Sequence, residues 1–410
     1  MPAAASLLGR AAGLLPAQDE ALPWLLMRTG EARLELGEFD EARSRFEEVI
    51  HLARQRGDAA LEATANIEGL RLRYMTDAAG SDSDVSERVQ QALPILAAAQ
   101  YEAGLARAWR LLTYLYSAAT RYGEAERAAT AMVEHAQASG ERLMEIRGLP
   151  ALAQMARYGP LPVTDAIDRC NELLSRAADA RQPEALIEST LAHLRAMEGD
   201  FETAREIYGR VRRTLTELGW NFNAALVSID SGPIELLAGD PIAAERELRE
   251  DFETLTQMGE RNYIGTTAAF LAEALYRQDR LEEAAVFAEF SKETAAEDDL
   301  AGQYLWRQAR AKLLARGGDL EGGTRLAAEA VALTERSDDP TDQANALTDL
   351  ADVHELAGRT TEAIEALRQA LERHEAKGNV PAIRTVRARI VALSSDGTTT
   401  RGAKETVGST

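Results

Sequence analysis

The sequence has little cysteine and no long apolar run. Its one cysteine, Cys170, cannot form an internal disulfide, which fits a reducing compartment. The surrounding stretch "DAIDRCNELLSRA" has a helical apolar pattern and no histidine, which favours packing over nucleophilic catalysis. No run of about 18 apolar residues occurs, so we expect no membrane span. These absences predict a cytoplasmic protein.

Positive charge is also scarce. The 410 residues include 46 basic and 67 acidic side chains, which gives a formal net charge of -21. A surface of this sign repels phosphate backbones and anionic lipid head groups. We therefore expect neither nucleic acid nor a membrane as a partner.

Catalytic and metal-binding patterns are missing as well. The sequence contains no G-x-S-x-G, H-E-x-x-H or C-x-x-C, and its five histidines lack the close spacing of metal ligands. The stretch "RGGDLEGGTR" (316–325) approaches the nucleotide-binding pattern G-x-x-x-x-G-K-[ST]. However, Gly323 replaces the lysine, and a helical stretch precedes it in place of a strand. The sequence predicts a protein that is not an enzyme, with no catalytic residue, metal or cofactor.

Helical periodicity dominates what is present. Aromatic residues make up only 5% of the chain, and runs of Val, Ile and Thr are almost absent. Apolar residues recur at three- and four-residue spacing, as in "LRQALERH" and "FLAEALYRQ". This pattern predicts an all-α fold, and its length requires internal repetition.

A short turn recurs along the chain. It reads "EGDFETA", "AGDPIAA", "RQDRLEEA", "GGDLEGG" and "AGRTTEA", ending at Ala204, Ala244, Ala284, Gly323 and Ala363, so the period is 39 or 40 residues. Earlier copies are "LGEFDEA", "TRYGEA" and the irregular "YGPLPVTDA", and "AAGSDSDVS" marks one further turn. The repeat predicts about nine helical hairpins.

Small residues and turn glycines follow the same period. Five residues before the end of the turn stand Gly37, Gly199, Gly239, Gly318 and Gly358, with Thr120 and Asp279 in the equivalent places. Glycine there can adopt the left-handed conformation that ends a helix. Seven residues earlier come Gly30, Thr113, Ala192, Gly232, Ala272, Ala311 and Ala351, all of them small. Small residues on both helices let the two backbones of a hairpin approach closely.

These features resemble the tetratricopeptide repeat, in a subclass with a 40-residue period. The resemblance implies a right-handed α-α superhelix. We expect a partial hairpin or N-terminal helix at 1–20, the solenoid with a capping last helix at 21–393, and a disordered tail at 394–410. Gly159, Pro160 and Pro162 interrupt the regular turn and predict a bend there.

A narrower resemblance comes from "MGERNYIGTTAAFLAEALYRQDRLEEA" and "WRQARAKLLARGGDLEGG". Both look like the C-terminal repeat region of actinobacterial adenylate/guanylate cyclase-like proteins, in which a cyclase domain and an AAA-type ATPase precede the repeats. Nothing in this chain resembles those two modules, so the resemblance implies a regulatory region alone. The chain also starts like the second helix of a hairpin, which suggests separation from a catalytic partner. The alternative of a maltose-regulator-like transcription activator requires a C-terminal helix-turn-helix, which 394–410 cannot supply.

In the tetratricopeptide arrangement the first helix of each hairpin faces a concave groove. Its groove positions lie 13, 10, 6 and 3 residues before the turn glycine, which places them on one helix face. The candidates are Arg110, Tyr114, Ser117, Ser189, His193, Thr266, Glu273, Tyr276, Trp306, Gln308, Lys312, Asn345, Thr348, Asp352 and Glu355, with Met27, Glu31 and Glu35 in the first unit.

The groove candidates are mostly polar or aromatic and are mixed in charge. Such a surface suits a protein segment or a small polar effector. The alternative is a concave face that is polar only because water covers it. We expect a regulatory scaffold in bacterial signal transduction that binds a protein segment or effector in the groove.

Overall fold

A computed structural model describes residues 2–16, 18–76, 82–261 and 263–405. Every regular element in these ranges is a helix, and no strand occurs among them. None of these helices combines the length and apolar content needed to cross a bilayer. The all-α prediction is confirmed.

The described residues form 21 helices, most of which pair as hairpins. The single first helix is α1 (Pro2–Leu14) and the single last helix is α21 (Val380–Glu405). The hairpins are α2 (Leu22–Glu35) with α3 (Phe39–Arg56), α4 (Ala59–Thr76) with α5 (Asp82–Ala98), α6 (Glu102–Ala118) with α7 (Tyr122–Ala138), α8 (Arg142–Tyr158) with α9 (Val163–Arg176), α10 (Arg181–Glu198) with α11 (Phe201–Glu217), α12 (Asn221–Ala225) and α13 (Val227–Ala238) with α14 (Pro241–Met258), α15 (Ile264–Arg277) with α16 (Leu281–Thr294), α17 (Leu300–Arg316) with α18 (Leu320–Thr334), and α19 (Pro340–Leu356) with α20 (Thr360–Lys377). These nine hairpins confirm the repeat count. The predicted turn "AAGSDSDVS" lies largely outside the described residues, which omit 77–81.

The turns have the predicted left-handed residues. The five turn glycines have φ between 69° and 99°, and Thr120 and Asp279 take the same conformation with φ of 54° and 60°. Gln100 (φ 52°) and Asp179 (φ 72°) take the same conformation in turns between hairpins, at positions that the repeat pattern did not predict. Backbone geometry therefore overrides side-chain preference at four non-glycine positions of the described chain.

The small residues let helices pack closely. A Cβ atom on Gly30 would lie 2.5 Å from the Phe46 ring, and one on Gly232 would lie 2.7 Å from Leu248 Cγ. On Gly323 it would lie 2.8 Å from the carbonyl oxygen of Ala311. The glycines of "RGGDLEGGTR" thus serve helix packing and a turn, and helix α17 precedes them in place of the strand that a phosphate loop requires.

The chain divides into two compact units. Unit 1 comprises 1–116 and 124–148, and unit 2 comprises 117–123 and 149–410. The core of unit 1 forms around residues such as Phe46, Val49 and Leu111. The core of unit 2 forms around residues such as Tyr208, Leu248 and Leu367.

Unit 2 closes on itself through two groups of hydrogen bonds, which we call the closing contacts. The Asp338 carboxylate accepts from the backbone N–H of Tyr122 at 2.6 Å and of Gly123 at 2.7 Å. The buried Lys377 ammonium donates to three carbonyl oxygens, those of Ala156 (3.1 Å), Gly159 (2.6 Å) and Leu161 (2.8 Å). Both groups join residues more than 210 positions apart. The bend predicted at 159–162 stays a prediction, and it would have to break the Lys377 contacts.

The last helix is longer than the sequence suggested. Helix α21 continues to Glu405, so 394–405 are helical, whereas we expected a disordered tail from 394. No proline interrupts this stretch, and a helix that is already nucleated extends at little cost. Helix α21 packs against α10 and α13 of the same unit.

Candidate functional site

Unit 2 contains a cavity of about 230 Å³ that is partly open to solvent. The first helices of successive hairpins line it: α10, α13, α15, α17 and α19. Helix α21 and the end of α20 complete the wall. The repeat therefore brings side chains that are 40 residues apart in sequence onto one inner surface, as the groove register predicted.

The cavity wall mixes apolar and polar side chains. Its apolar members include Leu236, Phe270, Leu305, Ala309 and Val386. Its polar members are His193, Glu273, Arg277, Gln308, Thr341, Asp342, Asn345, Thr348, Asp349, His374, Asn379 and Thr385. A few polar groups on a largely apolar wall are typical of ligand-binding pockets.

Three nitrogen atoms of the wall lack a hydrogen-bond partner in the described part of the chain. They are His193 Nδ1, Gln308 Nε2 and His374 Nδ1. The three side chains are more than nine-tenths buried. Burial lowers the pKa of His374 to about 4, and burial together with the charge of Arg157 lowers that of His193 well below its usual value. Both rings are therefore neutral at pH 7, and an unpaired buried polar atom costs about 1–3 kcal/mol.

A charged group centred on Lys312 lies behind the wall and includes three wall residues, Glu273, Arg277 and Asp349. Its Nζ lies 2.6 Å from Asp349 Oδ1 and also bonds Glu273, whose carboxylate accepts from Arg277 Nε at 2.7 Å. Burial disfavours the charge of Glu273, but Lys312 and Arg277 outweigh it and lower the pKa to about 2. Burial raises the pKa of Asp349 to about 6 against the opposing charge of Lys312.

Asp342 contributes a carboxyl group to the wall. Its carboxylate accepts from the hydroxyl of Tyr304, and no Lys or Arg side chain pairs with it within 4.0 Å among the described residues. Burial raises its pKa, as it raises that of the neighbouring Asp339. A positive or hydrogen-bond-donating ligand group is favoured at this point of the wall.

Five predicted groove residues of unit 2 line the cavity: His193, Glu273, Gln308, Asn345 and Thr348. The other predicted residues lie beside it. Lys312 bonds two wall carboxylates, Tyr276 lies 5.4 Å from the Lys312 ammonium by its ring centroid, and Asp352 pairs with Arg389 at 2.5 Å. Ser189 Oγ lies 3.4 Å from Asp230 Oδ2, and Thr266 is half-buried outside the wall.

Trp306 does not line the cavity, although we expected it in the groove. It stands twelve residues before Gly318, one position off the register, and the wall position belongs to its neighbour Leu305. The indole N–H of Trp306 donates to Gln303 Oε1 at 3.3 Å, and the Arg307 guanidinium lies 4.2 Å from its ring centroid.

The predicted residues of unit 1 form ion pairs on its inner helices. Glu31, Glu35 and Arg110 are each paired, with Arg107, Arg147 and Glu68 respectively. Met27 is buried and Tyr114 is about half exposed. Ser117 belongs to unit 2, where its hydroxyl lies 3.6 Å from Met155 Sδ.

The groove positions predicted from the sequence do not include several residues of the cavity wall. Asp342 and Asp349 lie three before and four after Asn345 on the same helix face, so a wider inner stripe would have included them. His374, Asn379 and Thr385 come from the end of α20, the turn after it and α21, which no repeat position places inside. The periodicity of the sequence therefore could not predict that these three residues line the cavity.

Comparisons with known proteins agree with the repeat. A family model described as tetratricopeptide repeat matches residues 25–53. A Rap protein solved in complex with Competence and Sporulation Factor is similar over 93% of this chain and 99% of its own, with 13% identity and a TM-score of 0.61. The fold is a tetratricopeptide-type solenoid.

Two further solved structures share this solenoid fold. The apo form of the quorum sensor NprR from B. thuringiensis covers 85% of this chain and 97% of its own, with 15% identity and a TM-score of 0.54. The Cut9–Hcn1 hetero-tetramer of the APC/C covers 91% and 71%, with 12% identity and a TM-score of 0.52. No curated protein matches the sequence.

We also searched the described residues for a metal-binding group and for a reactive thiol. No group of three His, Cys, Asp or Glu side chains in the described ranges could hold a metal ion. Cys170 is buried, and burial raises the pKa of its thiol to about 12. A thiol of this kind is a poor nucleophile at neutral pH.

Proposed function

We propose that this protein is a non-enzymatic scaffold that binds an extended segment of another protein at the inner surface of unit 2. The observation that carries the proposal is the cavity lined by five successive first helices, with three buried nitrogen atoms that lack a partner. A peptide backbone offers both N–H donors and carbonyl acceptors. It could therefore satisfy a neutral histidine nitrogen and an amide N–H together.

The size of the cavity indicates what part of a segment it would hold. Its 230 Å³ exceeds the 150 Å³ or so of an engineered cavity that takes up benzene. It thus suits one or two side chains, with the rest of the segment along the inner helices. A small polar effector of similar size is the alternative occupant.

Two similar folds support a role in bacterial signal transduction. One is the Rap protein complexed with Competence and Sporulation Factor, and the other is the quorum sensor NprR. Stacked repeats form extended concave surfaces that suit the binding of a partner. We extend that role to this chain as a proposal, together with a cytoplasmic location.

A display library of random peptides tests the proposal. Peptides selected on the wild-type protein are measured for affinity to Asn345→Trp, which fills the cavity from an exposed wall position. The matched control is Val286→Trp, because Val286 is 67% exposed on α16, a second helix of its hairpin. We expect a loss of at least about tenfold for Asn345→Trp and no loss for the control, since filling removes buried contacts. Equal affinities for all three proteins would reject binding in the cavity.

A narrower proposal places the solenoid in a nucleotide-signalling system, as the regulatory part of a cyclase or AAA ATPase protein. It rests on the resemblance of residues 258–284 and 306–323 to such regulatory regions. Purified protein added to a cyclase from the same genome should change its rate of cyclic nucleotide formation. An unchanged rate at saturating protein would leave the peptide-binding proposal intact and remove this one.

A further inference from the structure

The inner helices of unit 1 carry a network of buried ion pairs. In its first part Arg107 bridges two carboxylates, with Nε 2.7 Å from Glu31 Oε1 and Nη1 3.0 Å from Glu141 Oε1. Arg28 pairs with the same two carboxylates at 3.1 and 3.6 Å. Two arginines and two glutamates balance, so this part is neutral.

The second part of the network does not balance. The Glu68 carboxylate is fully buried and pairs with two guanidinium groups, Arg110 Nη2 at 2.5 Å and Arg71 Nη1 at 3.3 Å. Arg71 is 8% exposed and Arg110 is 5% exposed. One carboxylate between two buried arginines leaves one positive charge in excess. Such an uncompensated buried charge is costly unless an anion joins it.

Both arginines also keep unused hydrogen-bond donors. Arg110 Nε is buried without a partner, and Arg110 Nη1 has only Met144 Sδ at 3.7 Å. Arg71 makes one hydrogen bond to a described residue, from Nη1 to Glu68 Oε2, which leaves its Nε and Nη2 for a ligand or water. A guanidinium group has five N–H donors in a fork that matches a carboxylate. Tyr114, one turn after Arg110 on α6, is 48% exposed, so this helix reaches solvent one turn from the arginine.

We propose that Arg71 and Arg110 bind one carboxylate group on the inner face of unit 1. A carboxylate carries the single negative charge that balances the excess, whereas a phosphate dianion would overcompensate it. The site goes beyond the proposed function, because it lies in unit 1 and does not depend on binding at the cavity of unit 2. The carboxylate belongs either to a small organic acid or to a protein segment, and both present the same group to the arginines.

The first experiment measures the melting temperature of the full chain in acetate, with chloride replaced at constant ionic strength. Because a ligand that binds only the folded state stabilises it, we expect a rise of about 2 °C or more at saturation. Arg71→Met should abolish the rise. Arg45→Met removes the same charge from an exposed pair on α3 and should leave the rise unchanged. A wild-type shift that persists in Arg71→Met, or no shift at all, overturns the site.

A second variant acts in the opposite direction. Glu68→Gln removes the competing carboxylate and leaves two unpaired guanidinium groups, so acetate should bind at least about threefold more tightly. This variant keeps the test decisive if Arg71→Met does not fold. Weaker acetate binding in Glu68→Gln, or a larger shift with phosphate than with acetate in the wild type, contradicts a site for one carboxylate.

The source of the carboxylate follows from a third comparison. N-acetyl-tetraalanine with a free C-terminus is compared with its C-terminal amide and with acetate. Tighter binding of the free peptide than of acetate supports the site with a protein segment as its ligand, whereas equal binding supports it with a small acid. Equal binding of the amide and the free peptide overturns the carboxylate requirement.

Discussion

At two glycine positions, Gly232 and Gly30, two helices pack so closely that the methyl group of an alanine would not fit without a shift of the facing side chain. A Cβ atom at position 232 would meet three side-chain atoms of Leu248 between 2.7 and 2.9 Å, and Leu248 is fully buried. The Leu248 side chain would therefore have to shift to admit a methyl group at this position. The same reasoning applies to position 30 against Phe46.

Gly232→Ala should therefore lower the free energy of unfolding by about 1–3 kcal/mol, the usual cost of overpacking a core. Urea denaturation gives the value. Gly69→Ala is the matched control, since a Cβ there meets nothing within 4 Å and should stabilise α4 by up to about 1 kcal/mol. Equal effects of the two substitutions would show that packing against Leu248 is not the cause.

The Lys312 group leads to a prediction about pH. Burial raises the pKa of Asp349 to about 6 in the folded state, whereas its ordinary value is 3.8. Between these values the folded carboxyl group holds a proton that the unfolded one has lost, so stability falls as pH rises through this window. Asp349→Asn removes the titrating group. The variant should gain about 1–3 kcal/mol relative to wild type between pH 4 and pH 7.

Urea denaturation at half-unit pH steps measures this gain. Glu273 acts in the opposite sense: because its folded pKa is lowered to about 2, its contribution is present above about pH 4.5 and is lost as pH falls towards 2. The difference between Asp349→Asn and wild type must therefore appear above pH 4. A difference that does not vary with pH would contradict the assignment.

At the scale of elements, seven of the turns inside the hairpins contain a residue in the left-handed backbone conformation. Thr120 adopts it with φ of 54° although it is β-branched, and its buried hydroxyl has no partner in the described chain. Both features cost free energy, about 1–3 kcal/mol for the backbone strain alone. The backbone carbonyl oxygen of Thr120, in contrast, is hydrogen-bonded, because it accepts from Ser337 Oγ at 3.3 Å.

Thr120→Gly should stabilise unit 2 by about 1 kcal/mol, since it relieves the strain and removes the unpaired hydroxyl at the expense of a small cavity. The reciprocal change, Gly358→Thr, should destabilise the equivalent turn by about 1–2 kcal/mol. Thermal unfolding compares the two. Loss of stability in Thr120→Gly would mean that packing of its methyl group outweighs the strain.

The sequence predicts those features of the helices and turns that recur in successive repeats, and it does not predict contacts that occur once. Most hairpins need a left-handed turn residue, usually glycine, and a small residue five positions later. These residues therefore recur at a fixed period and reveal the fold and five wall residues. The part of the wall formed by His374 and Thr385 depends on where the end of α20 and α21 pack. The pairing of Glu68 with Arg71 and Arg110 depends on charged side chains that α4 and α6 bury together. Neither recurs from repeat to repeat, so no period marks it.

At the scale of the whole molecule, the closing contacts set unit 2 apart from an open stack of repeats. In an open array each repeat contacts only its neighbours, and stability is a sum of local contributions. Here Asp338 and Lys377 connect the last hairpins of unit 2 to its first residues. We therefore expect unit 2 to unfold in one cooperative transition.

Lys377→Met leaves three carbonyl oxygens without their charged donor and should destabilise unit 2 by about 2–4 kcal/mol. Hydrogen exchange measured by mass spectrometry should show faster exchange at both 156–162 and 120–124, because the two sets of contacts act together. Lys292→Met is the control, since Lys292 forms an exposed pair with Glu289 and its loss should cost below about 1 kcal/mol. Faster exchange confined to 156–162 would indicate that the two sets are independent.

The Lys377 contacts also impose an order of events during protein synthesis. The carbonyl groups of Ala156, Gly159 and Leu161 leave the ribosome more than 210 residues before the lysine that binds them. At the usual rates of translation this delay is about 10–45 s. During that interval the first hairpins of unit 2 exist without their partner, and they are the part of the nascent chain that a chaperone would meet.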